Sequence, residues 1–192
     1  VYKRQTPNSG VTVTSSLTCS ASATDIDGGT PSLSYQWTNG TTSLGSGTTI
    51  QLTSQTTSTG DTIVCTATAT DSNGGSASDS TNVTVENSLP QLADLTLTPD
   101  PAYTNDVLTA TYTTTDDDGD TVTASFAWYV DDGSGAALVQ SGTDATLDGA
   151  THFAKSDQVY VVATPNDGTS DGPAQTSGTV TIGNTLPQAP SI

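Results

Sequence analysis

The residues in this chain best placed to do chemistry are carboxylates. They fall in two short runs of related pattern, Asp25-Ile-Asp27-Gly28 and Asp116-Asp-Asp118-Gly119-Asp120. Aspartates on alternate residues ahead of a glycine gather several oxygens at one turn. Unit charges about 4 Å apart repel by about 4 kcal/mol at an effective dielectric near 20. The chain has only three Lys and Arg residues to set against 20 acidic ones. Such carboxylates must splay into water, protonate in part or take up a cation, and oxygen donors in a flexible loop suit Ca²⁺. The competing reading is a pair of Asp-Gly turns kept for local backbone hydrogen bonds and solubility.

Other chemistry fits poorly. Gly168-Thr-Ser-Asp-Gly172 matches the Gly-x-Ser-x-Gly pattern of hydrolase nucleophiles. That chemistry needs a strand-to-helix turn and a histidine base. The single histidine, His152, lies upstream, and no helical period follows Gly172. Asp117 and Asp118 could be cast as a glycosidase pair, but such a pair needs one carboxyl in an apolar cleft, and these sit in a polar loop. The expectation is therefore that the chain is not an enzyme.

Charge excludes further classes. A net charge of −17 repels nucleic acid, whose binding depends on Lys and Arg at phosphates, and disfavours anionic membrane surfaces. No apolar run is long enough to span a bilayer. Acidity of this kind suits an extracellular surface in saline, or one that collects divalent cations.

The acidic loops need strands to hold them, and the chain supplies the same framework twice. Ser16–Gly29 followed by Leu33-Ser-Tyr-Gln-Trp37 is matched by Val107–Asp120 followed by Val122–Trp128. Setting Cys19 on Ala110 places Trp37 on Trp128, since both spacings are 18 residues. Val83-Thr-Val-Glu-Asn-Ser-Leu-Pro90 recurs 97 residues later as Val180-Thr-Ile-Gly-Asn-Thr-Leu-Pro187. The organisation read from this is one repeat over 1–88, a second over 89–185, and a linker or the start of a further repeat over 186–192. Residues 1–5 hold two of the three basic residues and break the Thr/Ser/Asp texture. They read as a non-native junction segment or, alternatively, as a first strand in register with Ala93–Leu97.

Within the first repeat, period-two apolar patterning places strands near Val11–Thr14, Leu17–Thr24, Leu33–Asn39, Thr49–Thr53, Asp61–Thr70 and Ser78–Glu86. Inward positions are Leu17, Cys19, Ala21, Ala23, Leu33, Tyr35, Trp37, Ile63, Cys65, Ala67, Val83 and Val85. Asn39-Gly40 suits a tight hairpin. The second repeat offers Leu95, Leu97, Leu108, Ala110, Tyr112, Val122, Ala124, Phe126, Trp128, Ala145, Leu147, Val159, Val161, Ala163, Val180 and Ile182. Short strands, turn signals and no helical period describe an all-β chain of two tandem antiparallel β-sandwiches.

Cys19, Trp37 and Cys65 have the order and rough spacing of an immunoglobulin-like domain, with Asp61 four residues before Cys65 also in pattern. The tyrosine expected two residues before the second Cys is replaced by Ile63 and Val159. With Asp-x-Asp-Gly, Tyr-x-Trp or Phe-x-Trp, and Asn-Ser/Thr-Leu-Pro, the chain resembles the Ig-like or cadherin-like repeats of large bacterial surface and secreted proteins. It is also similar to polycystic-kidney-disease-type repeats, although their Trp-Asp-Phe-Gly-Asp-Gly string is missing. The resemblance implies a Cys19–Cys65 disulfide, against which stand a metal half-site or a redox pair. It also implies that the B–C and F–G loops share one pole. That would bring Asp116, Asp118 and Asp120 near Asp167, with the linker residues Glu86 and Asn87, around a Ca²⁺. A weaker counterpart would use Asp25, Asp27 and Asp71.

The implied function is a spacer or adhesive stalk outside the cell, partnered by neighbouring repeats and by a cell-surface or glycan ligand, with calcium stiffening the junction. The alternative is an accessory carbohydrate-binding module of a secreted enzyme. It requires an exposed aromatic platform, for which Tyr103, Tyr129 and Tyr160 are the donors.

Overall fold

The computed structural model describes residues 2–187, so the linker expected over 186–192 lies mostly outside the described residues. The chain forms two compact units, Val1–Ser88 with Asp117–Gly119, and Leu89–Asp116 with Asp120–Ile192. Each is an immunoglobulin-like β-sandwich of antiparallel strands, apart from one short parallel pair in the second, where Ile182 faces Ala102.

In the first unit the strands are β1 (Tyr2–Thr6), β2 (Ser16–Ser22), β3 (Ser32–Asn39), β4 (Thr42–Ser46), β5 (Thr49–Gln51), β6 (Thr62–Thr70) and β7 (Ser76–Thr84). They form one sheet in the order β1-β2-β5 and another in the order β4-β3-β6-β7. Thus the fourth strand pairs with the third, where a constant-type immunoglobulin domain would place it beside the fifth. Alternation along β6, Thr62–Thr70, buries Ile63, Cys65, Ala67 and Ala69. Threonine recurs on the outer positions, where a β-branched side chain favours the strand and its hydroxyl meets water.

The core of this unit gathers Val11, Val13, Leu17, Trp37, Leu52, Ile63, Val83 and Val85 around the Cys19–Cys65 disulfide. Trp37 is fully buried and donates its Nε1–H to the Gly47 carbonyl at 2.9 Å. Asp61 fastens the base of β6. Its Oδ2 accepts from Asn39 Nδ2 at 2.6 Å and from the Ser58 N–H at 2.8 Å. The Asn39-Gly40 hairpin forms as the sequence implies, with Gly40 at φ 56°.

The second unit repeats the plan. Its strands are β8 (Gln91–Thr98), β9 (Ala102–Tyr103), β10 (Val107–Thr115), β11 (Thr123–Asp131), β12 (Ala136–Gly142), β13 (Thr146–Asp148), β14 (Gln158–Asn166), β15 (Gln175–Thr176) and β16 (Val180–Gly183). One sheet runs β13-β10-β8 and the other β12-β11-β14-β16-β9, with β15 also on β14. Trp128 is buried and donates to the Asp144 carbonyl at 3.3 Å. In the ladders Trp37 faces Cys65 and Trp128 faces Val161. The alignment of the two tryptophans made from spacing alone therefore holds in three dimensions. A short helical turn, α1 (Gly149–His152), interrupts the all-β pattern, capped by Asp148 accepting from the Ala150 N–H at 2.9 Å.

Several expectations are corrected. Val11–Thr14 is not a strand. Val11 and Val13 are buried, but the segment turns, with the Ser15 N–H bonding to Thr12 O. Leu33 is 37% exposed rather than inward, because β2 ends at Ser22 and leaves that end of β3 uncovered. Tyr112 is 37% exposed beside the slip in the β10–β8 ladder between Thr111 and Thr113, but its ring still packs on the buried Phe126, with centroids 5.5 Å apart. A bulge of this kind breaks the alternation on which a period-two reading depends. Residues 2–6 form β1, whose Gln5 faces Cys19 just as Leu97 of β8 faces Ala110. The segment thus pairs as a strand in register with Ala93–Leu97, as the sequence implies.

Candidate metal centre

β10 ends at Thr115 and β11 begins at Thr123, and the loop between them carries the acidic run. Gly119, at φ 84°, turns the backbone back. That fold brings one carboxylate oxygen each of Asp116, Asp118 and Asp120 within 4.8 Å of one another. Among the described residues this is the one group of three or more potential ligands that meets so closely. Asp116 Oδ1 accepts from the Asp120 N–H at 3.3 Å, a long bond that helps close the loop. Within the first compact unit, Asp118 accepts from the Ser88 N–H at 2.6 Å and from Ser88 Oγ at 3.3 Å.

The donor set fits a hard cation. It offers carboxylate oxygen and neither sulfur nor imidazole, the chemistry that separates Ca²⁺ from Zn²⁺ sites. Three carboxylates supply only part of the roughly six to eight oxygens that Ca²⁺ takes, leaving the rest to backbone carbonyls and water.

The remaining acidic residues are held in other ways. Asp167 is buried, and its Oδ1 accepts from the Thr169 and Ser170 N–H groups, both at 2.7 Å. It is not one of the three clustered ligands. Glu86 Oε1 accepts from the Gly10 N–H at 2.8 Å, and Asn87 Nδ2 donates to the Ser88 carbonyl at 2.9 Å. In the first repeat Asp25 accepts from the Asp27 N–H at 3.1 Å, and Asp71 from the Asn73 and Gly75 N–H groups at 2.8 Å. Asp25 and Asp71 line one depression of about 430 Å³ with Ile26 and Pro31, but with Asp27 they form no three-ligand group.

Three aspartates elsewhere are held below the ordinary carboxyl range. A hydrogen bond from Lys3, then one from the Ser80 N–H, lowers Asp79. The Ser134 hydroxyl and N–H do this for Asp132, and the Thr146 hydroxyl and N–H for Asp144.

The Gly168–Gly172 loop, which mimics a nucleophile motif, is a turn. Asn166 and Asp171 bridge across it as antiparallel partners, and the Ser170 N–H is spent on Asp167. Ser170 thus lies in a strand-to-bridge turn, not on a strand-to-helix elbow.

Two features escaped the sequence. The Gln5 side chain is buried at 6% exposure, and neither amide atom has a hydrogen-bond partner among the described residues. Tyr129 and Tyr160, directly opposed on β11 and β14, stack with ring centroids 5.0 Å apart and planes 8° from parallel. The Tyr129/Tyr160 register follows once Trp128 is paired with Val161, so strand pairing was the missing signal.

No protein-family model matches the chain, nor does any curated protein. Among solved structures it is similar to the three N-terminal domains of the highly immunogenic outer capsid protein of bacteriophage RB49, at 16% identity and a TM-score of 0.40, covering 96% of this chain and 70% of that one. It is also similar to domains A168–A170 of titin, at 13% identity, TM-score 0.36 and coverage of 92% and 60%. A third similarity is to the FN1–FN3 domains of chicken CNTN1, at 12% identity, TM-score 0.38 and coverage of 97% and 67%.

Proposed function

We propose that the chain is a pair of spacer repeats from a large bacterial surface or secreted protein, displayed outside the cell and serving adhesion by holding a binding region away from its anchor. The observation that carries this reading is internal. The two units share strand order and the tryptophan's place in the ladder, and each is followed by the same Asn-Ser/Thr-Leu-Pro sequence. A module duplicated with its joint is an element of an array, and arrays of autonomous sandwiches set length and stiffness. The Cys19–Cys65 disulfide supports an oxidising compartment. Partners in this reading are neighbouring repeats of the same chain and a ligand on a cell surface.

Small-angle scattering of the full chain tests it. A spacer gives a radius of gyration well above the roughly 16 Å of a single compact body of this length. A value near that figure would refute the role.

The same reading assigns a hard divalent cation, Ca²⁺, to Asp116, Asp118 and Asp120, where its binding would stiffen the tandem. The residues hold it through carboxylate oxygens, and the ion would neutralise mutual repulsion that the chain's few basic residues leave unanswered. At ten times its dissociation constant, Ca²⁺ would stabilise the second repeat by about 1.4 kcal/mol. Calorimetry up to millimolar Ca²⁺ that records neither heat nor a shift in melting would remove the ion from the mechanism and leave the spacer reading intact.

A further inference from the structure

The outer face of the second repeat's larger sheet departs from the rest of the surface. Alternation along β11 and β14 sends Trp128, Val130, Val159 and Val161 inward, and Tyr129, Ala127, Tyr160 and Val162 outward. Register extends this outward row onto β12, where Leu138 faces Tyr129 and is 54% exposed. Leu138, Tyr129 and Tyr160 thus lie side by side across three strands, about 10 Å from end to end at ~4.8 Å per strand. The rings stack on each other, and neither tyrosine hydroxyl has a hydrogen-bond partner among the described residues.

The first repeat shows what this face looks like without such residues. Trp128 corresponds to Trp37 and Val161 to Cys65, so Tyr129 corresponds to Thr38 and Tyr160 to Val64. On β4, Ser43 faces Thr38 as Leu138 faces Tyr129. Threonine, valine and serine satisfy the strand at these positions. Two tyrosines and a leucine are therefore not required by the sandwich, and an apolar row of two half-buried rings beside an exposed leucine marks a surface that meets something.

The neighbours say what it meets. Around the row stand Ser141 beside Ala127, Thr176 beside Val162, and Gln158 facing Thr181. Asp131, two residues along β11 from Tyr129, is turned into its own hairpin, with Oδ1 accepting from the Gly133 N–H at 2.8 Å and the Gly135 N–H at 3.1 Å. In a protein of net charge −17, this face is apolar at its centre and rimmed by hydroxyls and amides. That excludes a charged ligand as the natural match. β11 and β14 lie inside the sheet with their backbone N–H groups spent on neighbouring strands, so a peptide laid over the stacked tyrosines meets no open strand edge there.

We propose that the Tyr129–Tyr160–Leu138 face binds a neutral polysaccharide, its C–H faces against the aromatic and leucine side chains and its hydroxyls against Gln158, Thr176, Thr181 and the two phenols. The surface is independent of whether the chain serves as a spacer.

The test is affinity electrophoresis of the full chain through gels containing hydroxyethylcellulose, xylan, mannan, dextran or soluble starch, with polygalacturonate as the anionic control. Retardation by at least one neutral polymer and none by polygalacturonate is expected. The comparison protein carries Tyr129→Thr and Tyr160→Val, residues the first repeat already accommodates at the equivalent sites. Its affinity should fall by about thirtyfold or more, as when a hot-spot aromatic is removed, with its melting transitions retained. No retardation by any of the neutral polymers, or equal retardation of the variant, would overturn the proposal. So would tyrosine-dependent self-association in sedimentation, or tyrosine-dependent capture of a poly-L-proline peptide in place of the polymers, since either gives the face a protein occupant.

Discussion

Replacing Gln5 with leucine should stabilise the first repeat. Gln5 faces Cys19 in the β1–β2 ladder, and its amide is buried with no partner for Nε2 or Oε1. The second repeat places Leu97 opposite Ala110 at the same point. Stranding a polar group costs about 1–3 kcal/mol, and burying a leucine side chain contributes about 1.5–3 kcal/mol. Repacking a space shaped by glutamine takes back about 1–3 kcal/mol. Taking the middle of each range, the net gain is about 2 kcal/mol, and each kcal/mol is worth about 4–8 °C in melting temperature in a domain of this size. Differential scanning calorimetry of the whole chain reads this directly. Dithiothreitol identifies the first repeat's transition, because that repeat holds the disulfide. Gln5→Leu should raise this transition by at least about 4 °C and leave the other in place. The reciprocal Leu97→Gln should lower the second transition. A first transition that stays or falls in Gln5→Leu would refute the claim that the two sites are equivalent core positions.

Three further outcomes follow from the same structure. Reducing the Cys19–Cys65 bond, which spans 46 residues, should cost the first repeat roughly 4 kcal/mol in the chain-entropy model. Cys19→Ala with Cys65→Val, which copies Ala110 and Val161, should melt above the reduced protein. Asp79 is held below 3.8 by Lys3 and Ser80, so its contribution is present above that value and lost as pH falls through the lower folded pKa. Asp79→Asn should remove this part of the acid sensitivity in melts below about pH 4, by a small amount because the pair is exposed. Gly172→Ala should destabilise the second repeat by about 1–3 kcal/mol, because its Cβ would lie 1.9 Å from the Pro90 carbonyl oxygen; an unchanged second transition would contradict that packing.

What could be read from the sequence was whatever period-two burial dictates. The inward positions of β6, β11 and β14 are right because those strands are long, regular and central. Trp37 and Trp128 could be aligned because a fixed loop length separates each from the strand before it. The reading failed where a strand is irregular or uncovered. The bulge beside Tyr112 leaves a ring that packs on Phe126 partly exposed, and the end of β3 extends past β2, leaving Leu33 uncovered. β4 was missed because Thr42–Ser46 is short and mostly polar, with Gly45 next to its end, and only pairing with β3 makes it a strand. The acidic site was legible within one loop, where Asp116, Asp118 and Asp120 are close in sequence. Asp167, Glu86 and Asn87 depended on longer-range placement, and Asp167 and Glu86 are committed to backbone N–H groups that no spacing rule reveals.

The two repeats also act as controls for each other. Their inner faces solve one problem with interchangeable parts. A buried tryptophan bonds to a carbonyl in the strand-connecting segment, and the position beside it is half of a disulfide in one unit and a valine in the other. Outer faces are under no such demand, and threonine is the default that satisfies strand propensity and water together. An isolated exposed apolar residue on such a face needs no explanation. An exposed leucine adjoining two half-buried, stacked tyrosines, on one repeat and not on its duplicate, does require one. Core packing cannot supply it, since Thr38, Val64 and Ser43 support the same ladder without them. The feature that distinguishes the repeats is thus on the surface, and any recognition specific to the second repeat should be sought there.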